Sequence, residues 1–311
     1  MKKFFKWLLV VIAVIVIVPV LVVFFRPSLI IAKDVARKEL TVPASHFVEW
    51  RGVQLHYTDE GQGMPIMMIH GFGGSYTNFD SLAALMKGQY RVIRVDLPGF
   101  GLSDYPADKA GEDLIQTYRD YLTFMLDTLH LDSVYAIGNS MGGGLTWIMA
   151  GDHPEQVRKI VLLNSAGYDI EKAAAKLTMF KYNGVGKIFE RGMPLFMSQN
   201  GMERGYADPS KINPRVVEVN NKFTNREGNI THMLRMGRAA QFPDPALITR
   251  VQCPTLIVWG QQDSIIPVEN ASRFKRDIKN SEVVVFNPCG HMPMMELPEK
   301  TYAVTEEFFK K

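Results

Sequence analysis

Cysteine is scarce in this chain: Cys253 and Cys289 are the only two in 311 residues. Two thiols cannot make a disulfide framework. One precedes an apolar run and the other follows the next such run. If those runs are parallel neighbouring strands, the thiols lie at opposite edges of a sheet. Five residues at ~3.3 Å each separate them by about 16 Å, beyond disulfide reach, so cysteine usage leaves the compartment open. Histidine is thin too, and none of the seven has ligand spacing with a cysteine, which argues against a metal. There is no cofactor motif, internal repeat or low-complexity tract. A large excess of one charge is also missing. The net charge is +3, but Lys2, Lys3, Lys6, Arg26, Lys33, Arg37 and Lys38 against Asp34 give residues 1–38 a charge of +6, leaving −3 for the rest. A mildly acidic body has no electrostatic footprint for nucleic acid.

One long hydrophobic run stands out. Phe4 to Phe25 carries a single charge, Lys6. Twenty-two residues at ~1.5 Å rise span about 33 Å, enough for a bilayer. Pro19 is tolerable in such a helix, and Trp7 sits where an interfacial aromatic would. A cleaved signal peptide competes, since Lys2, Lys3 and Lys6 form a basic leader. The run is long for that, and Phe24-Phe25-Arg26-Pro27 is no small-residue cleavage site. The expectation is a single-pass, uncleaved N-terminal anchor. Basic residues on its two sides nearly balance, and the orientation expected is N-terminus inside with the catalytic domain on the non-cytoplasmic side. The basic residues after the run could meet anionic lipid or serve topology only.

Gly138-Asn139-Ser140-Met141-Gly142 follows the apolar run Val134 to Ile137 and opens a helix-like stretch. A serine on a sharp strand-to-helix turn exposes its hydroxyl, and small neighbours permit the turn. Such a serine needs a histidine to take its proton and a carboxylate to orient that histidine. Two later strands end in suitable residues. Pro254 to Gly260 runs into Gln261-Gln262-Asp263, and Glu282 to Phe286 into Asn287-Pro288-Cys289-Gly290-His291. Parallel strands would bring these ends to one sheet edge. Pro65 to Ile69 delivers His70-Gly71-Phe72-Gly73-Gly74, a loop able to turn N–H groups inward. The amides of Phe72 and Met141 are assigned to an oxyanion hole. His70 is read as a tether for that loop. Asp96 also ends a strand, but precedes the elbow in sequence, which argues against a triad role. His46, His56, His130, His153 and His232 are read as core or surface histidines.

Strand and helix alternate from residue 46, implying a mostly parallel sheet. Residues 1–45 form the anchor and a connector, helical over 28–40. Residues 46–167 and 251–311 form two parts of one α/β core. The intervening 168–250 lack strand runs and are rich in Met and Phe: Met179, Phe180, Phe189, Met193, Leu195, Phe196, Met197, Met202, Phe223, Met233, Leu234 and Met236. They read as a helical cap suited to an acyl chain or another apolar substrate, although most of these side chains could simply pack the cap's own core.

His70-Gly71-Phe72-Gly73-Gly74, Asp96 to Ser103, Gly138 to Gly143, Trp259 to Asp263 and Gly290-His291, in this order, resemble the α/β-hydrolase superfamily over residues 46–311. The resemblance implies an eight-stranded, mostly parallel sheet flanked by helices. It implies Ser140 as nucleophile, Asp263 as orienting acid, His291 as base, and oxyanion amides at Phe72 and Met141, with no cofactor. Within the superfamily the chain looks most like membrane-anchored monoacylglycerol-lipase-type hydrolases. Asn139 departs slightly, since Gly-Asn-Ser-Met-Gly-Gly is also familiar from carbon–carbon bond hydrolases of ring-cleavage products. Ser140 excludes the chemistries that need a carboxylate at the elbow. A triad-bearing ligand receptor is the reading from a different class. The expected partners are a small ester or lipid substrate and a membrane, and the oligomeric state is left open.

Overall fold

The computed structural model describes Trp7 and residues 27–106, 113–168, 189–239 and 243–311. The expected membrane run, Phe4 to Phe25, lies outside these apart from Trp7. Among the described residues no helix is long and apolar enough to cross a membrane.

Eight strands form one sheet: β1 Ser45–Trp50, β2 Val53–Glu60, β3 Pro65–Ile69, β4 Arg91–Val95, β5 Val134–Asn139, β6 Val157–Leu163, β7 Thr255–Gly260 and β8 Ser281–Phe286. The order across the sheet is β1-β2-β4-β3-β5-β6-β7-β8. The β1–β2 hairpin is antiparallel, β2 pairs antiparallel with β4, and every later pairing is parallel.

The central strands are apolar on both faces because both faces are covered. Met67 and Ile69 of β3, Ile160 and Leu162 of β6, and Ile257 and Trp259 of β7 point into one core. Helices α3 (Leu114–Thr128) and α4 (Met141–Asp152) close it. Ile66 and Met68, Val161 and Leu163, and Leu256 and Val258 point into the other. That layer is closed by α2 (Asp80–Met86) and by the C-terminal helix α10 (Pro298–Lys310). Burying each of these side chains is worth about 1.5–3 kcal/mol. Helix α3 starts where Asp113 caps it, accepting from the Ile115 and Gln116 N–H groups.

The connector differs from expectation. Its helix, α1, covers only Lys33–Leu40. The preceding residues are extended and lie along the cap: Leu29 N–H donates to Arg191 O, Ile31 N–H to Asn225 O, and Glu227 N–H to Ile31 O. Branched apolar residues at 29–31 find partners there that a solvated helix would not offer. Lys33 is also claimed by the fold. Its ammonium lies 2.9 Å from Asp104, which the buried Arg226 contacts at 2.7 Å.

Between β6 and β7 the described residues are helical, as α5 Leu195–Glu203, α6 Pro214–Thr224 and α7 Asn229–Ala239. The remaining helices are α8 Glu269–Asp277, the short α9 Pro293–Glu296, and α10 directly after it. Both cysteines are free.

Candidate active site

Ser140 sits between β5 and α4 with φ 56° and ψ −120°, a strained conformation for a residue with a side chain. Its carbonyl accepts from the N–H groups of Gly144 and Ala166, and its own N–H donates to Leu163 O. The flanking glycines are required by contact. A Cβ on Gly138 would stand 2.2 Å from Thr146 Oγ1, and one on Gly142 2.0 Å from Ile69 O. The motif spacing is therefore the shape of a turn wedged between β3, β5 and the helix.

Asp263 follows β7 and His291 follows β8, as the sequence places them. His291 Nδ1 lies 2.7 Å from Asp263 Oδ2, with the carboxylate side chain fully buried. Asp263 Oδ1 accepts from the Ile265 and Ile266 N–H groups at 2.7 and 2.9 Å. Oδ2 also accepts from Asn164 Nδ2 at 2.6 Å. A carboxylate only accepts, so Nδ1 is the protonated ring nitrogen and Nε2 is left as the acceptor. Ser140 and His291 line the same cavity but share no hydrogen bond. The row is thus closed on the acid side and open on the serine side, a spacing common before substrate tightens a site.

Phe72 and Met141 line that cavity too. Met141 is the first residue of α4, where an N–H has no partner within the helix. Gly71 abuts Ser140: a Cβ there would be 3.0 Å from the serine Cβ. His70 is the tether the sequence suggests. Its Nε2 accepts from Leu97 N–H at 3.1 Å, so Nδ1 donates to Gly71 O at 2.7 Å. Burial holds this imidazole below the usual histidine range, with nearby Asp96 opposing. Asp96 does structural work. It accepts from the Tyr76 and Leu102 N–H groups and pairs with His56 Nδ1 at 2.7 Å.

Three contributors were invisible in the sequence. Asn164 is one; its side chain also accepts from Gly260 N–H. Asn139 is another, with Nδ2 donating to the carbonyls of Leu163 and His291. The third is Glu296. Its carboxylate accepts from Gly290 N–H at 2.7 Å and from the cap amides of Ala207 and Asp208 at 3.1 and 3.3 Å. Asn164 adopts φ 45° in the turn after β6, a left-handed conformation in which asparagine is favoured.

The cavity encloses about 460 Å³, within the usual range for small-molecule sites. Among the described residues seven methionines line it: Met141, Met193, Met197, Met202, Met233, Met236 and Met292. Five of the six cap methionines singled out in the sequence therefore face the site, and Met179 lies outside the described residues. Phe189 and Leu234 instead pack the cap's own core, and Phe223 packs against α1.

The alpha/beta hydrolase fold profile matches residues 64–298. The chain belongs to the alpha/beta hydrolase family. It is 29% identical over 285 residues to 2-hydroxy-6-oxo-6-(2'-aminophenyl)hexa-2,4-dienoic acid hydrolase of Metapseudomonas resinovorans, covering 90% of this chain and 96% of the relative. It is also 29% identical over 261 residues to Lipase 1 of Psychrobacter immobilis, covering 80% and 78%. A crystal structure of a serine hydrolase involved in carbazole degradation superposes with TM-score 0.69 at 27% identity, covering 86% of this chain and 98% of that one. The chain is accordingly a hydrolase of this fold, and its relatives include both carbon–carbon bond hydrolases and a lipase.

Proposed function

We propose that this hydrolase cleaves carboxylic esters of lipid-like, monoacylglycerol-type substrates through an acyl-enzyme on Ser140. The observation that carries the reading is the cavity itself, where a strained serine and an Asp263-bound histidine open onto a wall of methionines. Ser140 Oγ attacks the ester carbonyl carbon while its proton passes to His291 Nε2. The Phe72 and Met141 amides hold the resulting oxyanion, a contribution of about 3 kcal/mol per donor. Collapse expels the alcohol, which takes the proton from His291. Water then gives a proton to Nε2 and attacks the acyl carbon; the bond to Ser140 Oγ breaks, His291 returns the proton to that oxygen, and the acid leaves.

The reading includes a membrane. The Phe4–Phe25 run serves as a single-pass anchor with the catalytic domain on the non-cytoplasmic side. Leu195 and Phe196 at the start of α5 are 44% and 62% exposed. Leu29, at the start of the connector, bonds to Arg191 beside them. Exposed apolar residues on a cap bonded to the connector suit a substrate drawn from lipid.

Cleavage of a carbon–carbon bond in a dienoate is the second reading, favoured by the Metapseudomonas resinovorans relative and by Asn139 in the elbow. Fluorophosphonate labelling of membrane fractions, followed by glycerol esters of rising chain length beside a dienoate, tests both. Labelling of wild type and not of Ser140→Ala, with ester turnover falling at least about 10⁴-fold in the variant, is expected. Labelling at another residue overturns the mechanism, and a dienoate kcat/KM above that of every ester installs the second reading.

A further inference from the structure

Among the thirty described residues that line the cavity, Arg204 and His291 are the two with a basic side chain, and none of the thirty is acidic. The guanidinium makes no hydrogen bond or ion pair with any described residue, although most other arginines do. Its backbone is fixed from both sides of the site. Arg204 O accepts from Ser264 Oγ at 2.7 Å, next to the orienting acid, and Gly205 O accepts from the His291 N–H at 2.7 Å. Arg204 itself is exposed and borders the cavity that holds Ser140.

We propose that Arg204 is an anion-recognition subsite. It holds the phosphate or carboxylate oxygens of a substrate whose acyl portion lies among the methionines and whose scissile carbonyl sits at Ser140. A planar fork of N–H donors matches two oxygens of either group. The described lining, thioethers and neutral groups, offers no competing carboxylate. The proposal rests on the acyl-ester part of the proposed function and departs from it in the alcohol: the preferred ester carries an anionic group where a monoacylglycerol is neutral. The competing explanation is that Arg204 merely complements the C-terminal dipole of α5, which it caps.

The test uses the full-length protein and three decanoyl esters: decanoylglycerol, decanoylglycerol phosphate and decanoyl lactate. The wild type is expected to show a KM for at least one anionic ester about tenfold below that for decanoylglycerol. The two anionic arms distinguish a phosphate from a carboxylate as the preferred group. Arg204→Gln erases that difference while holding kcat/KM for decanoylglycerol within twofold, and Arg204→Lys restores part of it. Equal KM values in wild type, an anionic preference that survives Arg204→Gln, or an equal loss on all three esters overturns the subsite. If no ester is turned over, the ester reading itself fails. The subsite is then read by binding: decyl phosphate should bind wild type about tenfold more tightly than Arg204→Gln, and equal dissociation constants overturn it.

Discussion

Asn164 shows how much of the site rests on a single amide. Its Nδ2 donates to the Asp263 oxygen that also receives His291, and to Gly290 O on the histidine's own loop. Its Oδ1 accepts from Gly260 at the end of β7. One planar group therefore sets Asp263 and the loop of His291 together. Asn164→Ala removes these bonds and leaves buried groups unsatisfied, each worth about 1–3 kcal/mol. The expected result is a kcat lowered about 10- to 100-fold, with KM changed less than threefold and Ser140 still labelled, only more slowly. An unchanged kcat in steady-state assays would show that Asp263 is held well enough by the Ile265 and Ile266 amides. The sequence pointed to Ser140, Asp263 and His291 because each ends a strand in a motif of fixed residue types. It was silent on Asn164 because an asparagine after a strand is ordinary turn chemistry until its partners, 96 to 126 positions away, are known.

At the scale of elements, the cap and the histidine loop act as one piece. Gly290 packs so tightly on the cap that a Cβ would stand 2.4 Å from Gly205 O. Glu296, in the short helix α9, receives Gly290 N–H on one oxygen and the Ala207 and Asp208 amides mainly on the other. Glutamine there would present an N–H₂ group to backbone donors on one side. Glu296→Gln and Glu296→Ala are both expected to lower kcat about tenfold and to raise KM, because the cap segment they release also lines the cavity. Values of kcat/KM within twofold of wild type for both variants would sink this coupling. The strands and cap helices were legible because hydrophobic runs and their breaks are local. The contacts of α9 were not, since they join a five-residue offset after His291 to a cap segment some ninety positions earlier. The connector was misread for the same reason. Its extended stretch is stabilised by Arg191, Asn225 and Glu227, not by neighbours in sequence.

For the whole molecule, the cap is tied to the core at a point that senses acid. His232 of α7 is buried, and its Nε2 lies 2.7 Å from the hydroxyl of Tyr118 on α3. The ring stacks on Tyr105 at 4.1 Å between centroids, while Nδ1 is buried without a partner. Burial, assisted by the positive charge of Arg235, pushes this histidine down to about 3. An unfolded histidine titrates near 6.5, so between those values the unfolded chain binds the proton and the folded one does not. Stability from this group is therefore complete above pH 6.5 and falls as the pH drops, by about 1.4 kcal/mol per unit until about pH 3. His70, lowered in the same direction, adds to the slope from the loop that follows β3. Urea unfolding at pH 7.5 and pH 5.0 should show the wild type losing about 2 kcal/mol through His232 alone. Replacing it with glutamine, which keeps a polar partner for Tyr118 but cannot take a proton in this range, should flatten the slope by that amount while lowering stability at pH 7.5. A slope identical in His232→Gln would mean that acid acts elsewhere, and that the joint between α3 and α7 stays closed when the medium is acidified.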